Sequence, residues 1–139
     1  MPRYLTDAPL DPAQLVAQVA SPGCGGTVLF LGAVRRAAED GDVEGIDYSA
    51  YHEMAEAELE RIVGEAGQRW TGARIALRHR LGWVPVGEAS VAIAVACPHR
   101  ADAYAASRFL IDETKRRAPI WKRERLASGA ERWVEPVHA

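Results

Sequence analysis

The sequence predicts an α+β fold with a mixed or antiparallel sheet, three main helices and a C-terminal hairpin. Helical and strand-like segments follow in the order helix, two strands, helix, two strands, helix and hairpin. A doubly wound fold needs a helix between successive parallel strands, so this order favours α+β, with the helices on one side of the sheet. The 139 residues, 48% hydrophobic and 26% charged, fit one globular domain spanning 1–139.

The first helix is expected to begin at Pro12, because Asp11 is a preferred N-cap and proline fits the first helical turn. The apolar segment from Thr27 to Arg35 predicts a largely buried strand. The segment from Val43 to Tyr51 alternates apolar and polar residues, as a half-buried strand does. Asp40-Gly41-Asp42 lies between them and is a turn signal, so the two strands are expected to form a hairpin.

The rest of the chain shows helical spacing, strand alternation or turn signals that predict five further elements. These are helices at about Glu53 to Trp70 and Ala101 to Arg117, strands at Arg74 to Leu81 and Ala89 to Cys97, and a hairpin of Trp121 to Leu126 against Glu131 to Glu135 that turns at Ser128-Gly129. The strand from Ala89 to Cys97 is small and apolar on both faces, which is typical of a central strand covered on both sides.

The segment from Lys115 to Glu124 places two lysines on either side of a proline. Pro119 lacks an N–H group and disfavours helix at the residue before it, so the third helix is expected to end near Arg117. Lys122 then lies on an extended segment that folds back. The ammonium groups of Lys115 and Lys122 can therefore face one pocket from different elements.

A lysine that is desolvated or close to other cations has a lowered pKa, which would let Lys115 act as an acid, base or nucleophile near neutral pH. The alternative is that these residues form a solvated basic helix end, since cations in a last turn interact favourably with the helix dipole. Trp121 beside Lys122, and the helix breaker between the two lysines, favour a functional site.

A second candidate anion site lies at Pro98-His99-Arg100, where a strand leads into the third helix. Unpaired N–H groups at a helix start bind anions, and His99 and Arg100 add charge-assisted donors; the alternative is an exposed helix start. Between His99 and Arg125 the chain has eight Lys or Arg residues against four Asp or Glu residues. Two anion features in one segment favour a ligand that carries a phosphate.

Several classes of function are disfavoured by composition. The net charge of −2 argues against a general nucleic-acid binder. Cys24 and Cys97 form no CxxC pair, and no His spacing suggests a metal site, so no metal or cofactor is expected. The longest apolar run, Ala89 to Cys97, is too short to cross a bilayer, and the sequence start lacks a signal-peptide pattern, so a cytoplasmic protein is expected.

Several ordered motifs together resemble the large, catalytic subunit of molybdopterin synthase over nearly the whole length. They are Gly32-x-Val34-Arg35, Tyr48-x-x-Tyr51-x-x-Met54-Ala55-Glu56, His79-Arg80-x-Gly82, Val86-Gly87-Glu88, Pro98-His99-Arg100, Lys115-x-x-x-Pro119-Ile120-Trp121-Lys122-Arg123-Glu124 and Trp133-Val134-Glu135. The resemblance implies an α/β hammerhead fold, which agrees with the predicted α+β order.

The resemblance also implies an activity. In that family a sulfurtransferase converts cyclic pyranopterin monophosphate to molybdopterin, whose dithiolene later binds molybdenum. The sulfur arrives as a thiocarboxylate at the Gly-Gly C-terminus of a small ubiquitin-like partner. Two loaded partners are used in succession, and the large subunits form a central homodimer with one small subunit at each end, a heterotetramer.

By position, the resemblance implies two catalytic residues: Lys115 for acid/base work and stabilisation of the thiocarboxylate or acyl intermediate, and Lys122 to balance phosphate and intermediate charge. Further residues are implied to contact or line the substrate site: Phe30, Ala33, Val34, Arg35, His99, Arg100, Arg123 and Glu124. The sequence departs from the family pattern in two places: Arg36-Ala37-Ala38-Glu39, in the loop expected over the ligand, and the residues after Glu135, where the family pattern has a cross-subunit arginine.

Two alternatives to an enzyme use the same residues. One is a non-catalytic module that binds phosphate or RNA through these cations, with strong salt dependence. The other is a scaffold that holds a ubiquitin-like partner without catalysis. Retention of both Lys115 and Lys122 argues against the scaffold.

Overall fold

Eight strands form two four-stranded sheets, and three helices pack around the first sheet, in a computed structural model that describes residues 2–36 and 41–134. The helices and strands have these bounds: β1 Leu5–Thr6, α1 Pro12–Val19, β2 Gly26–Ala33, β3 Val43–Ala50, α2 His52–Arg69, β4 Arg74–Arg80, β5 Gly82–Pro85, β6 Ala89–Cys97, α3 Arg100–Arg117, β7 Ile120–Leu126 and β8 Glu131–Val134. The predicted α+β class is confirmed.

The first sheet has the strand order β1-β4-β6-β2 and is mixed, because β1 runs parallel to β4 while the other pairs are antiparallel. Its strand β6 is buried along almost its whole length, as its sequence predicts. Val91, Ile93 and Val95 face the larger core, which includes α2 and α3. The small alanines of β6 face α1 instead, so helices lie on both sides of this sheet, and the prediction that they share one side was wrong.

The second sheet has the order β5-β3-β7-β8, with every pair antiparallel. The predicted hairpin of β2 with β3 is therefore wrong, because β2 pairs with β6 and β3 pairs with β5 and β7. The register shift after Gly32 and the backbone bonds of Val34 to Glu88 and Gly87 carry the chain out of the first sheet. The chain crosses to the second sheet between β2 and β3.

The C-terminal hairpin is confirmed: β7 pairs with β8, and Lys122 lies opposite Val134. The predicted end of α3 is also confirmed, since the helix stops at Arg117, directly before Ala118 and Pro119. The expected last hairpin residue, Glu135, lies outside the described residues. The strands β1 and β5 were not predicted, because two and four residues are too few to show a hydrophobic period.

The start of α3 is held against the start of β2 by a close backbone approach at Gly26. A Cβ atom placed on Gly26 would lie 2.8 Å from the Cα of Arg100. The neighbouring Gly25 donates its N–H to the Pro98 carbonyl at 3.2 Å. Glycine is required here because a side chain would push helix and strand apart, and this contact fixes where α3 begins.

We predict that Gly26→Ala lowers the free energy of unfolding by about 1–3 kcal/mol, because the neighbouring atoms belong to rigid backbone. Urea unfolding measures the change. Gly64→Ala is the matched control: Gly64 lies inside α2 with open space where a Cβ would be, and its replacement should stabilise the protein by about 0.5–1 kcal/mol. Equal effects of the two substitutions would contradict the close-approach argument.

Candidate functional site

A pocket of about 270 Å³ lies where the two sheets and the C-terminal end of α3 meet. Five segments of the chain line it, which are the end of β2, then β3, β6, the last turns of α3, and β7. The lining residues are Gly32, Ala33, Val34, Arg35, Ile46, Tyr48, Ser90, Lys115, Lys122 and Glu124. The pocket thus combines basic side chains, one carboxylate and two hydroxyls on an apolar support.

The structure brings Lys115 and Lys122 together in this pocket. Lys115 lies in the last turn of α3, and Lys122 lies on β7 after the chain has reversed at Pro119. The two amine groups are hydrogen-bonded to each other. They are also the only lysines in the sequence, where every other basic side chain apart from histidine is arginine.

Burial lowers the pKa of Lys115 to about 8, with further lowering from the charge of Lys122 and from the hydrogen bond between the amines. An ammonium has only N–H donors, so a hydrogen bond between two amines requires one of them to be neutral. A pKa near 8 makes the neutral amine of Lys115 accessible close to neutral pH. This lysine can therefore both donate and accept a proton at working pH.

The end of β2 forms one wall of the pocket. Ala33, Val34 and Arg35 all line it, as the sequence led us to expect. Val34 is buried, and both its backbone N–H and its carbonyl are hydrogen-bonded, to Glu88 and Gly87. The backbone of Val34 is thus a fixed support for the wall, while Arg35 is exposed and carries the charge at the rim.

The strand β7 presents alternate residues to opposite faces, as the period of two requires. Lys122 and Glu124 face the pocket. Arg123 does not line it, and is paired with Asp47 at 3.2 Å with its guanidinium 5.5 Å from the centre of the Trp133 ring. Of the three β7 residues expected to contact substrate, Lys122 and Glu124 therefore line the pocket, and Arg123 lies outside it.

Phe30 does not line the pocket. It is half-buried and packs against the main core. Its ring lies next to Gly32, whose added Cβ would be 3.4 Å from the Phe30 ring edge. Phe30 therefore packs beside Gly32, next to the pocket wall.

His99 and Arg100 lie at the start of α3, whereas Lys115 lies near its end. Fifteen residues separate Arg100 from Lys115, which corresponds to about 22 Å along a helix axis. Both residues are exposed, and neither lines the pocket of this chain. The structure does not bring the predicted His99-Arg100 anion site to the lysines within one chain.

Sequence reasoning missed two polar residues of the pocket, Tyr48 and Ser90. Both are buried, at 4% and 2% exposure. A signal existed for each: Tyr48 is on the inward face of an alternating strand, and Ser90 is the polar residue in the otherwise apolar run of β6. Neither signal indicated which elements the side chains would meet.

Within residues 2–36 and 41–134, no group of three or more His, Cys, Asp or Glu side chains is placed to hold a metal ion. Over the same ranges, no helix is both long enough and apolar enough to span a membrane.

Cys97 is buried at the end of β6, and burial raises the pKa of its thiol, which is the opposite of what a nucleophilic cysteine requires.

We predict that Lys115→Met stabilises the protein by about 1–2 kcal/mol at pH 7, because it removes a desolvated charge that lies beside a second cation. This free energy is smaller than the full pKa shift would give, because Lys115 is partly exposed to solvent. The folded-state pKa is below the unfolded one, so the unfolded chain binds more protons between pH 8 and 10.5. Wild-type stability should therefore rise across this range, and the advantage of the variant should shrink.

Denaturant unfolding at several pH values measures this difference. The control is Arg108→Met, which removes an exposed cation from the same helix and should change stability by less than about 0.5 kcal/mol at any pH. A Lys115→Met variant less stable than wild type at pH 7 would show that the lysine charge is compensated in the pocket.

Comparisons with known proteins agree on one family. Residues 5–117 match the family model described as MoaE protein. The "Molybdopterin synthase catalytic subunit 1" of Mycobacterium tuberculosis is 41% identical over 130 residues, which cover 94% of this chain and 88% of that relative. The molybdopterin synthase structure from Staphylococcus aureus superposes with a TM-score of 0.90 at 32% identity, covering 95% of this chain and 96% of that one.

A more distant structure shares the fold. It is a protein–protein complex of subunits 1 and 2 of molybdopterin-converting factor from Helicobacter pylori, with a TM-score of 0.78 at 20% identity, covering 95% of this chain and 89% of that one. The family match spans most of the chain, from β1 to the end of α3, and so includes Lys115. The chain belongs to the MoaE protein family.

Proposed function

We propose that this protein is the catalytic subunit of a molybdopterin synthase, and that it transfers sulfur from a thiocarboxylated small partner to cyclic pyranopterin monophosphate. The single observation that carries the proposal is the pair of hydrogen-bonded lysines in one pocket, Lys115 and Lys122, with the pKa of Lys115 lowered to about 8. The relatives are named as catalytic subunits of molybdopterin synthase, which favours an enzyme over a non-catalytic binding module or scaffold.

The proposed chemistry needs proton transfer near neutral pH. The partner's thiocarboxylate sulfur forms a bond to a carbon of the pterin precursor while the carbon–oxygen bond at that carbon breaks and the departing oxygen takes up a proton. Water then breaks the acyl–sulfur bond, which leaves a thiol on the product and a carboxylate on the partner. Lys115 is suited to move the protons of these steps and, when charged, to stabilise the negative oxygen of the acyl intermediate. No metal and no further cofactor is required of this chain.

The phosphate of the precursor is proposed to bind near Lys122 and Arg35. An ammonium about 4 Å from a phosphate oxygen contributes roughly 4 kcal/mol per unit charge at an effective dielectric constant near 20, before solvation costs. Glu124 limits the positive charge, because it lines the same pocket and is held by Arg132 at 2.5 Å. The pocket thus stays positive enough to hold an anion while part of its charge is balanced.

We propose that His99 and Arg100 contact the substrate of a second copy in a homodimer. Within one chain they lie about 22 Å from Lys115 along α3, so they can share a ligand with the lysines only if another copy supplies them. A two-fold dimer would place one such pair at each pocket. The small ubiquitin-like subunits would then bind at the two ends, which makes a cytoplasmic heterotetramer.

The deciding experiment mixes the protein with the pyranopterin precursor and the thiocarboxylated partner and measures the dithiolene product. We expect Lys115→Ala to reduce the rate roughly 10²–10⁴-fold, as loss of a general acid or base does. Lys122→Ala should raise the precursor concentration needed for half-maximal rate. Arg108→Ala, a distant exposed cation on α3, should behave as wild type.

Absence of product with the wild-type protein would refute the enzyme proposal, and full activity of Lys115→Ala would refute the assigned role. Salt-dependent binding of RNA or phosphate without product would instead support the non-catalytic module. Binding of the small partner without product in any variant would support the scaffold.

A further inference from the structure

Tyr48 occupies a position from which it can control the two lysines. It lies on β3 directly opposite Lys122 on β7. Residues that face each other across an antiparallel pair have Cβ atoms about 4.5–5.5 Å apart, so the two side chains leave the sheet side by side. Tyr48 is only 4% exposed and lines the same pocket as both lysines.

The hydroxyl of Tyr48 is tied to the other sheet. Tyr48 and Ser90 on β6 line the same pocket, and Ser90 is close enough to the Tyr48 hydroxyl to affect its pKa. The Ser90 hydroxyl in turn donates to the Gly32 carbonyl at 3.2 Å. Ser90 therefore connects the surroundings of the Tyr48 side chain to the Gly32 backbone.

The ring of Tyr48 is also fixed, by the buried side chain of His79. The two rings meet edge to face with centroids 5.2 Å apart and an interplanar angle of 69°. The Nδ1 atom of His79 lies 2.9 Å from the Arg80 carbonyl, so Nδ1 carries a proton. Burial, together with the charges of both lysines, lowers the pKa of His79 to about 4, so the ring stays neutral near pH 7.

We propose that Tyr48 is a positioning residue that holds Lys122 against Lys115 by bracing the second sheet on the first through Ser90 and Gly32. The two residues that this connection joins belong to the site: Gly32 lines the pocket, and Tyr48 lies on β3, which pairs with the strand of Lys122. The proposed function does not assign any role to Tyr48, and the inference deepens that function because it concerns the same lysines.

Loss of the Tyr48 hydroxyl should raise the pKa of Lys115. With the brace gone, the sheets can separate slightly, water can enter and the amines can move apart; each of these changes raises the pKa of Lys115. The other titratable or charged groups around Lys115 are unchanged by the substitution. They are Arg35 after β2, His79 on β4, and Lys122 and Glu124 on β7.

The test is an NMR titration of protein labelled with ¹³C only at lysine. Because the chain contains two lysines and both are in the pocket, the spectrum reports on the site alone. We expect Tyr48→Phe to raise the lower titration midpoint by about half a pH unit or more. Ser90→Ala interrupts the same connection between the sheets and should raise the lower midpoint by a similar amount. The double variant should raise this midpoint no further than the larger of the two single effects.

The control is Tyr104→Phe, which removes an exposed hydroxyl from α3 and should leave both midpoints unchanged. An unchanged lower midpoint in both Tyr48→Phe and Ser90→Ala would overturn the proposal. A lower midpoint that falls would also overturn it, because Tyr48 would then be accepting a hydrogen bond from an ammonium. No substrate or partner is used, so the result does not depend on whether the proposed sulfur transfer is correct.

Discussion

The close contact of two amine groups in a partly buried pocket is the interaction on which the rest of this structure depends. Left alone, two lysines would separate, because each charge loses water on burial and repels the other. They stay together because they come from different elements whose positions are set elsewhere: Lys115 by α3, and Lys122 by β7 between its neighbours in the second sheet. The arrangement costs stability, and such a cost is typical of residues kept for chemistry.

The end of α3 is held with particular strength. Arg117, two residues after Lys115, forms ion pairs with Glu58 and Glu65 of α2 at 2.7 and 2.8 Å, and with Glu113 of its own helix at 3.2 Å. The two carboxylates of α2 hold the last turn of α3 against α2, which opposes fraying of the turn that carries Lys115. Its opposite end is fixed by the approach of Gly26 to Arg100. The helix α3 is therefore anchored near both ends, to α2 at its C-terminal end and to β2 at its N-terminal end.

Much of this arrangement can be predicted from local signals. Pro119 predicts both the end of α3 and the return strand, so the meeting of Lys115 and Lys122 follows from adjacent residues. The pairing of β2 and β3 in different sheets could not be predicted, because the bonds of Val34 to the Pro85–Glu88 turn region are long-range. The same limit applies to Tyr48 and Ser90, whose contact joins two sheets. Arg123 was assigned by motif, whereas the strand period places it on the opposite face from Lys122.

The measurement that tests the central claim most directly is the titration of the lysines with and without their mutual contact. In the wild-type protein we predict one midpoint near 8, that of Lys115. In Lys122→Gln, the remaining midpoint should rise but stay below the ordinary value of 10.5, because burial is the larger cause of the lowering and the neighbouring charge the smaller. Two wild-type midpoints near 10.5, or no change on removal of Lys122, would contradict the account.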